Sequence, residues 1–440
     1  MQLTRLVIHK YRNVVQGTTL VFNPGKNVLL GQNATGKSTL LTLLATVARS
    51  DFTDLKSEEF ALEYELTDPE WELHASVRNE RKSTLGLEPD ALGQDPLQGF
   101  LPLMQETASY QLEWDLRLTF KALPTSIQVN STGSGARIDI TQEGDTHSTA
   151  LENRLFLSDD ILLNFGRAVT SASKHEQAFD KTLIERVVEI LAKNFWFAQS
   201  RFDESLSFFR DILSKNILFS RFKVSSEQQF IPASSGVPSE IVTLLMEAVR
   251  TGSARTTFEF SNDQLRFMDE SVEQMGFISG RLKVERIEKR LDENIEMFRF
   301  GNISLDFTRE DGSALNHSLL SFGQKRLLAF HYYLDCHTDI VIADELVNGL
   351  HHHWVENCLD AIGDRQAFLT SQNPLLLDYL HFESAEQVRS SFILCHTEKQ
   401  DKHERMVWAN LTEDDAERFF TAYQTGIQHV SEILRTKGLW

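Results

Sequence analysis

The stretch Gly31-Gln32-Asn33-Ala34-Thr35-Gly36-Lys37-Ser38 matches the pattern G-x-x-x-x-G-K-[ST] at every fixed position. An apolar run, Val28-Leu29-Leu30, precedes it and predicts a buried strand, while residues 38–44 after it predict a helix. A strand, a glycine loop and a helix start in this order form an anion site, because free backbone N–H groups and the helix dipole face the ligand. The sequence therefore predicts a loop that binds the phosphates of a nucleotide.

The residues of this loop have separate predicted tasks. Residues 31–39, of which Thr39 is the last, surround the phosphates, and the ammonium group of Lys37 reaches the β- and γ-phosphates. The hydroxyl of Ser38 is the predicted ligand of Mg²⁺, which prefers oxygen ligands.

Composition limits the classes of function open to this chain of 440 residues. Its formal net charge of −19 at pH 7 argues against a general nucleic-acid coat, because such proteins neutralise phosphates with lysine and arginine. No apolar run approaches the roughly 20 residues of a membrane-spanning helix. The N-terminal residues alternate as in a strand, and three scattered cysteines favour a reducing compartment. We therefore expect a cytoplasmic protein without a membrane partner.

Changes in the spacing of apolar residues divide the chain into four parts. Residues 1–50 contain the phosphate loop, and residues 51–150 alternate in the manner of an antiparallel sheet, with a turn near residues 131–135. Residues 151–300 are expected to be mostly helical, and residues 301–440 return to strands and helices. The prediction is an α/β nucleotide-binding domain formed by both chain ends, with an inserted antiparallel β subdomain and a helical subdomain.

Helical spacing of apolar residues also predicts individual helices from residue 182 onward. The expected helices cover residues 182–193, 202–214, 239–249, 285–297, 324–334 and 419–434. The densest basic patch, residues 281–290, interleaves arginine and lysine with glutamate. This pattern favours a salt-bridged helix face over a DNA-binding surface.

A second motif follows an apolar strand near residue 340. The run Ile340-Val341-Ile342-Ala343 ends in two adjacent carboxylates, Asp344 and Glu345. Open α/β sheets bind ligands at the carboxyl ends of their strands, so Asp344 suits the magnesium ion or its water. Glu345 can then polarise the water that attacks the γ-phosphate. Strands often end in a carboxylate for structural reasons alone, and the phosphate loop in the same chain favours the catalytic interpretation.

The segment Leu320-Ser321-Phe322-Gly323-Gln324 ends 20 residues before Asp344. It resembles the L-S-G-G-Q signature of ABC-class ATPases, with Phe322 in place of the first glycine. In that class the helix that the serine begins faces the γ-phosphate bound by another subunit. A serine N-cap with free backbone donors does form an anion site. An ordinary capped helix is the alternative interpretation.

Three further segments resemble the OLD and RecF-like branch of this class. Asp344-Glu345-Leu346-Val347-Asn348-Gly349-Leu350-His351 is similar to its D-E-x-x-x-x-L-H turn. Leu369-Thr370-Ser371-Gln372-Asn373-Pro374-Leu375-Leu376-Leu377-Asp378 is similar to its T-H-S-P-x-L-L-D segment. Tyr11-Arg12-Asn13 stands where the branch has F-R-S/N, against the nucleotide. The resemblance covers roughly residues 1–50 and 300–380, by motif order and spacing.

For the whole chain, the resemblance implies an ABC-type P-loop ATPase that binds ATP with Mg²⁺ and hydrolyses it to ADP and phosphate. It implies a two-fold homodimer, or a larger homo-oligomer, with two ATP molecules between subunits. Each site would combine residues 31–39, Arg12, Asn13, Asp344 and Glu345 of one subunit with the signature of the other. The signature residues are Ser321, Phe322, Gly323 and Gln324.

Stand-alone ATPases of this arrangement resemble the ATPase subunits of bacterial antiphage systems of the Septu and PARIS kind. Those subunits act with a separately encoded nuclease or toxin. The resemblance thus implies a sensor or regulator of an effector protein, and the sequence shows no nuclease motif of its own. Two alternatives stay open: a RecF-like DNA-repair ATPase that binds DNA, and a scaffold that binds ATP without hydrolysing it.

Gln372 departs from the pattern of the class, which has a γ-phosphate-sensing histidine at this position. Glutamine donates and accepts hydrogen bonds but does not become cationic at neutral pH. The departure predicts slow turnover or a nucleotide that serves mainly as a dimerising switch. A purely local role of Gln372 in its loop is the alternative.

Two other groups of residues have open assignments. ATPases of this class have a glutamine that contacts Mg²⁺, in the part of the chain that also carries the phosphate loop. Gln142 and Gln199 are the two candidates for this residue here. The run His351-His352-His353 is not expected to bind one metal ion, because neighbouring side chains on a helix point in different directions.

Overall fold

The computed structural model describes residues 1–82, 109–132, 135–151, 160–175, 181–191, 201–210, 212–224, 227–232, 236–251, 255–292, 295–336, 339–400 and 403–439. These residues form a sheet of eight strands, a sheet of five strands and a third, antiparallel sheet in the middle of the chain. The five-stranded sheet carries the phosphate loop.

The eight-stranded sheet is antiparallel and includes the first strand of the chain. Phe60, Leu62, Tyr64 and Leu66 are buried, while the residues between them are exposed or half-buried. This period of two packs one face on the core and confirms the predicted antiparallel sheet. In spatial order the strands are β2 (Thr18–Val21), β1 (Gln2–Tyr11), β4 (Phe60–Thr67), β5 (Trp71–Lys82), β6 (Ser109–Phe120), β7 (Thr125–Thr132), β8 (Gly135–Gln142) and β9 (Asp145–Leu151).

The five-stranded sheet joins both ends of the chain, as predicted. Four of its strands are parallel, and the fifth pairs antiparallel at one edge. Parallel strands are covered on both faces, which explains the continuous apolar runs before the phosphate loop and before Asp344. In spatial order the strands are β16 (Ile340–Ala343), β17 (Gln366–Thr370), β3 (Lys26–Leu30), β18 (Phe392–Gln400) and β19 (His403–Asn410).

Helices cover both faces of this sheet. Val28 and Leu30 of β3 share a hydrophobic cluster with α7 (Phe322–Cys336), whereas Leu29 shares another with α1 (Lys37–Arg49). Alternate side chains of one strand therefore anchor two separate layers. The first cluster also contains the remaining C-terminal helices, α8 (His352–Ile362), α9 (Pro374–Asp378), α10 (Ala385–Ser391), α11 (Glu413–Gln424) and α12 (Val430–Thr436).

The third sheet lies largely in the segment expected to be mostly helical. Its strands are β11 (Glu227–Pro232), β10 (Ile217–Val224), β14 (Ile295–Thr308), β13 (Ser279–Asp292) and β12 (Thr257–Ser261), and β15 (Ala314–Asn316) pairs with β14. The helices of this segment are α2 (Ile161–His175), α3 (Lys181–Leu191), α4 (Phe202–Arg210), α5 (Ser239–Arg250) and α6 (Arg266–Gln274). Helices and strands therefore alternate where the sequence analysis expected helices.

The helix predicted for residues 285–297 is wrong. This segment belongs to the long antiparallel pair of β13 and β14. Leu282 and Val284 are buried between charged neighbours, as strand alternation requires. The pairing then shifts register twice, within residues 283–285 and again within residues 286–288. Such irregularities break the alternation, so the apolar spacing imitates a helix.

The charged residues of this hairpin are paired on a sheet rather than on a helix. Arg281 Nη1 lies 3.1 Å from Glu259 Oε2, and Lys289 Nζ lies 3.1 Å from Glu296 Oε1. Arg290 also pairs with Glu288. The prediction of a salt-bridged surface is therefore confirmed for these residues, although its secondary structure was wrong.

The other predicted helices agree with the structure in different degrees. Helix α7 confirms the prediction for residues 324–334, and α5 confirms that for residues 239–249. The single helix predicted for residues 419–434 is wrong, because α11 and α12 are separated by a turn in which Gly426 has a φ of 66°. Helix α3 agrees with the prediction up to Leu191, and α4 covers Phe202–Arg210 of the predicted 202–214, with a 3₁₀ turn at Ile212–Ser214. Residues 192–193, 211 and 133–134 lie outside the described residues.

Two observations bear on the predicted compartment. Cys336, Cys358 and Cys395 are all buried and unpaired, and burial raises the pKa of the Cys358 and Cys395 thiols to about 12. These thiols are therefore poor nucleophiles. Across the part of the chain that the structure describes, each helix is too short or too polar to cross a bilayer.

Asp335 of α7 has a largely buried carboxylate, 9% exposed, that lies at the start of α6. Its Oδ2 accepts a hydrogen bond from the Phe267 N–H at 2.8 Å, and its Oδ1 lies 4.0 Å from Arg266 Nε. Burial, followed by the charge of Glu240, raises the pKa of Asp335 from 3.8 to about 7. The folded state thus holds this proton more tightly than the unfolded state. Ionisation therefore lowers the stability progressively between about pH 4 and pH 7, and fully above pH 7.

We expect Asp335→Asn to stabilise the protein at pH 8 by roughly 2–4 kcal/mol, because the amide oxygen can still accept from Phe267 while the buried charge is removed. The gain should shrink as the pH falls toward 4, and thermal unfolding at pH 8 and pH 5 measures it. Asp378→Asn is the matched control, since Asp378 Oδ1 accepts from Ser431 N–H at 2.9 Å in the first turn of α12. Equal gains in both variants, or a gain that grows on acidification, contradict the prediction.

Candidate functional site

The phosphate loop connects β3 to α1, and two of its glycines stand where a side chain does not fit. Gly31 has a φ of 150°, and a Cβ there would lie 2.1 Å from the carbonyl oxygen of Cys395 on β18. Gly36 has a φ of 86°, and a Cβ there would lie 2.3 Å from Met406 Sδ on β19. Left-handed φ values and close neighbours both require glycine. The loop is therefore pressed against the sheet, and its outer residues 32–34 are exposed.

Lys37 begins α1 and folds back over the loop. Its Nζ donates to the carbonyl oxygens of Gly31 and Gln32 at 2.7 and 2.8 Å. The hydroxyl of Thr35 donates to the same Gln32 carbonyl at 2.8 Å. An ammonium group has three N–H donors, so a third can serve a phosphate oxygen. The first turn of α1, which is described in full, contains no acidic residue and presents the positive end of the helix dipole.

The two residues expected to hold Mg²⁺ contact each other. Ser38 Oγ donates to Asp344 Oδ2 at 2.6 Å, just beyond the end of β16. Thr370, at the end of β17, donates to the other oxygen of the same carboxylate. A carboxylate and a hydroxyl are the oxygen ligands that a hard cation prefers. Ser38 and Asp344 therefore fit a magnesium ion, and Thr370 orients the carboxylate.

Glu345 lies beside this pair in a strained backbone conformation. Its φ is 48°, which costs a residue with a side chain about 1–2 kcal/mol. Its N–H donates to Thr370 Oγ1 at 2.9 Å. Its carboxylate oxygens accept from Gln372 Nε2 at 2.5 Å and from Asn348 Nδ2 at 3.2 Å. The structure thus brings Gln372 and Glu345 together and fixes the direction of the carboxylate.

Arg326 of α7 supports this turn, although the sequence analysis gave it no role. Its guanidinium donates to the carbonyl oxygens of Asp344 at 3.2 Å and Leu346 at 3.0 Å, and also to that of Glu345. Arg326 is 7% exposed, and burial lowers the pKa of its guanidinium below the ordinary value. Its position two residues after the signature motif was the available signal, but an arginine there is equally compatible with a solvent-facing helix.

The signature residues begin α7 with a reciprocal cap. Ser321 N–H donates to Gln324 Oε1 at 3.0 Å, and Gln324 N–H donates to Ser321 Oγ at 3.3 Å. Ser321 and Phe322 are exposed, and the Phe322 ring lies against Gly349, where a Cβ would be 2.6 Å from it. A Cβ on Gly323 would lie 2.9 Å from the Gly349 carbonyl oxygen. Within one chain, the signature therefore contacts the turn after β16.

The two N-terminal candidates have different surroundings. Asn13 Nδ2 donates to the Glu404 carbonyl oxygen at 3.1 Å, and its own carbonyl accepts from Met406 N–H at 3.0 Å. Asn13 is therefore tied to β19 next to the phosphate loop. Arg12 instead forms two hydrogen bonds with the Glu58 carboxylate, at 2.7 and 2.6 Å, which lower the pKa of Glu58.

Two residues of β19 belong to the site and were missed in the sequence. Met406 lies against Gly36, and Trp408 Nε1 lies 3.4 Å from the Thr35 carbonyl oxygen. Both side chains are buried, and they support the loop from below. No local motif marks them, because they lie about 370 residues further along the chain.

Of the two glutamine candidates for the Mg²⁺ contact, only Gln142 is among the described residues. Gln142 ends β8 and pairs in register with Thr125 and Asp145, next to the edge strand β9. Four strands separate β8 from β1 in that sheet, so the structure does not bring Gln142 to the phosphate loop. Gln199 lies outside the described residues.

The three consecutive histidines have separate neighbours. The ring of His351 packs on Trp354 at 5.3 Å, the Tyr379 hydroxyl lies 2.9 Å from His352 Nε2, and His353 Nε2 lies 3.4 Å from Asn357 Nδ2. Among the residues that the structure describes, no group of three or more histidine, cysteine or acidic side chains is arranged to hold a metal ion.

One protein-family model matches residues 258–378, little more than a quarter of the chain. Its description reads "AAA domain, putative AbiEii toxin, Type IV TA system". The matched segment contains the signature, the Asp344–Glu345 pair and Gln372, and it ends at the segment that follows β17. No curated protein matches the chain at a significant level.

Solved structures similar to this chain include two SMC heads and RecF. An SMC head bound to the C-winged helix domain of ScpA has 10% identity and a TM-score of 0.35, covering 93% of this chain and 98% of that one. The SMC head domain from Thermotoga maritima has 10% identity and a TM-score of 0.33, covering 93% and 100%. The recombination mediator protein RecF has 12% identity and a TM-score of 0.32, covering 93% and 98%. At these identities and TM-scores, the likeness assigns neither an activity nor a partner to this chain.

The topology and the phosphate loop together define the fold of this chain. It is an α/β fold in which strands from both chain ends build the sheet that carries the phosphate loop, beside an antiparallel sheet of eight strands. Helices α2–α6 and the third sheet lie in the middle of the chain.

Proposed function

We propose that this chain binds ATP with Mg²⁺ and hydrolyses it to ADP and phosphate. The observation that carries the proposal is the hydrogen-bonded group of Ser38, Asp344, Thr370, Glu345 and Gln372 beside the phosphate loop. Residues 31–39 hold the phosphates, with Lys37 neutralising them, and Ser38 and Asp344 hold the metal ion. Glu345 orients and polarises the attacking water. Gln372, which donates to Glu345, keeps that carboxylate in place.

We further propose that ATP joins two copies of the chain. Ser321 and Phe322 are exposed at the start of α7, with the backbone N–H groups of a helix start beside them. Within the chain, Ser321 exchanges hydrogen bonds with Gln324 and the Phe322 ring lies against Gly349, and the exposed sides of both residues remain available to a nucleotide on a second subunit. Each composite site would then combine one phosphate loop with the signature of its partner.

We propose, as the biological role, regulation of a separately encoded effector in prokaryotic antiphage defence. The description of the matching family, which names a toxin of a type IV toxin–antitoxin system, supports a role of this kind. The net charge of −19 and the paired basic residues of the β13–β14 hairpin weigh against the RecF-like alternative. Co-purification with the products of adjacent genes tests the effector. DNA affinity that falls steeply with salt supports the RecF-like alternative instead.

We expect ATP with Mg²⁺ to convert the chain of 50.3 kDa into a species of about twice that mass. Light scattering with no nucleotide, with ADP and with ATP measures the change. Ser321→Arg should abolish the ATP-dependent dimer, because a large charged side chain then occupies the helix start. Ser384→Arg is the matched control, since Ser384 caps α10 in the same way, accepting from Gln387 N–H at 3.1 Å. An unchanged mass with ATP bound, or equal behaviour of both variants, contradicts the dimer.

A further inference from the structure

The start of α4 contacts the helix that follows the phosphate loop. Arg201, which immediately precedes α4, donates from Nη1 to Thr42 Oγ1 at 3.0 Å. The same hydroxyl donates to the carbonyl oxygen of Ser38 at 2.9 Å. Ser38 in turn contacts Asp344. A chain of three hydrogen bonds therefore runs from the start of α4 to the proposed metal ligands.

The next residue, Phe202, contacts Arg326, the side chain that supports the turn after β16. Its side chain is fully buried, and its ring centroid lies 5.0 Å from the guanidinium carbon of Arg326. Phe330 packs edge-on against it at 5.5 Å, and Tyr333 lies at 6.1 Å. An aromatic face attracts a guanidinium plane and sets its orientation, more so where water is excluded. The α7 aromatic residues thus fix Phe202, and Phe202 fixes the plane of Arg326.

Arg326 in turn contacts the backbone of residues 344–346, the turn after β16. Its guanidinium donates to the carbonyl oxygens of Asp344, Glu345 and Leu346, so all three peptide groups depend on its position. Glu345 has a left-handed φ, a conformation that persists only where surrounding contacts enforce it.

We propose that Phe202 is a positioning residue for ATP hydrolysis, which acts through Arg326 on the direction of the Glu345 carboxylate. This inference rests on the proposed ATPase function. The phosphates are held by residues 31–39, whereas Glu345 acts on the attacking water, so Phe202 affects the chemical step more than nucleotide binding.

The test is Phe202→Leu, which keeps an apolar side chain of similar volume but removes the aromatic face. The expected result is a fall in kcat of about tenfold or more, with the Kd for ATP changed by less than about twofold. Phe209→Leu is the matched control: Phe209 lies on the same helix and packs edge-on against Tyr332 of α7 at 5.1 Å, away from Arg326. It should leave both constants within about twofold of the wild type.

Arg326→Lys is the second variant, because lysine keeps the charge but lacks the planar fork that stacks and bonds three carbonyls. It should lower kcat with little change in ATP Kd, and the double variant with Phe202→Leu should be no slower than Arg326→Lys alone. A kcat for Phe202→Leu equal to that of Phe209→Leu, or additive losses in the double variant, overturns the inference. A wild-type chain that binds ATP without any turnover overturns the proposed ATPase function and this inference together.

Discussion

Glu345→Gln should lower the single-turnover rate of ATP hydrolysis by roughly 10²–10⁴-fold while ATP stays bound, which is the range that a general base contributes. The substitution keeps the shape of the side chain, and its amide oxygen can still accept from Gln372 Nε2, now 2.5 Å from Glu345 Oε1. It removes the negative charge that polarises the attacking water. Because the phosphate loop is untouched, ATP affinity should be equal to that of the wild type or greater.

Two measurements distinguish loss of the general base Glu345 from unfolding of the variant protein. Bound ATP and product are quantified after rapid mixing, and the solution mass is followed over the same period. Glu345→Gln should remain an ATP-bound dimer, whereas the wild type should return to the smaller species as ATP is consumed. Glu356→Gln is the matched control. Glu356 is exposed on α8, so this variant makes the same isosteric change away from the phosphate loop and the Asp344–Glu345 pair. It should hydrolyse ATP as the wild type does.

The same experiment decides between an ATPase and a non-hydrolysing scaffold. If wild type and Glu345→Gln hold ATP for equal times, the scaffold alternative is correct and Glu345 has a structural task. Gln372 makes the wild-type rate informative, since glutamine cannot supply the positive charge that a histidine offers to the transition state. A slow but measurable wild-type rate, lost in Glu345→Gln, fits the arrangement in which Gln372 only holds the carboxylate.

The core of the site could be predicted because its decisive information is local. A glycine loop must lie between a strand and a helix, and Gly31 and Gly36 indeed have φ values that other residues rarely adopt. The strand that ends at Asp344 is recognisable for a similar reason, since a four-residue run of buried apolar residues stops at two carboxylates. Parallel strands then bring both motifs to one edge of the sheet, so the sequence order of the motifs was enough to place them together.

What the sequence could not predict depends on contacts between distant parts of the chain. The pairing of β13 with β14 shifts register twice, so local apolar spacing suggested a helix where a hairpin exists. Met406 and Trp408 support the phosphate loop from the C-terminal hairpin, and nothing in their own neighbourhood marks them. No sequence motif assigns Arg326 a role, and only the fold shows three carbonyl oxygens around its guanidinium.

Lys37→Ala should weaken ATP binding by about 10²-fold, because roughly 3 kcal/mol of charge-assisted hydrogen bonding to the phosphates is lost. The ATP-dependent dimer should disappear at nucleotide concentrations that saturate the wild type. Equilibrium dialysis with ATP and Mg²⁺ measures the affinity, and light scattering at the same concentrations measures the mass. Hydrolysis should fall at least in proportion to occupancy, since Lys37 also faces the charge that develops on the γ-phosphate.

One structural detail makes the interpretation of this variant depend on a control. Lys37 Nζ also donates to the carbonyl oxygens of Gly31 and Gln32, so its removal loosens the loop as well as deleting a charge. Lys26→Ala, at the opposite end of β3, removes the same side chain from the same strand–loop–helix unit without touching the loop. If Lys26→Ala weakens ATP binding as strongly, the effect belongs to the strand and not to the phosphates. If Lys37→Ala keeps both its ATP affinity and its dimer, residues 31–39 do not bind a triphosphate, and the proposed function fails with them.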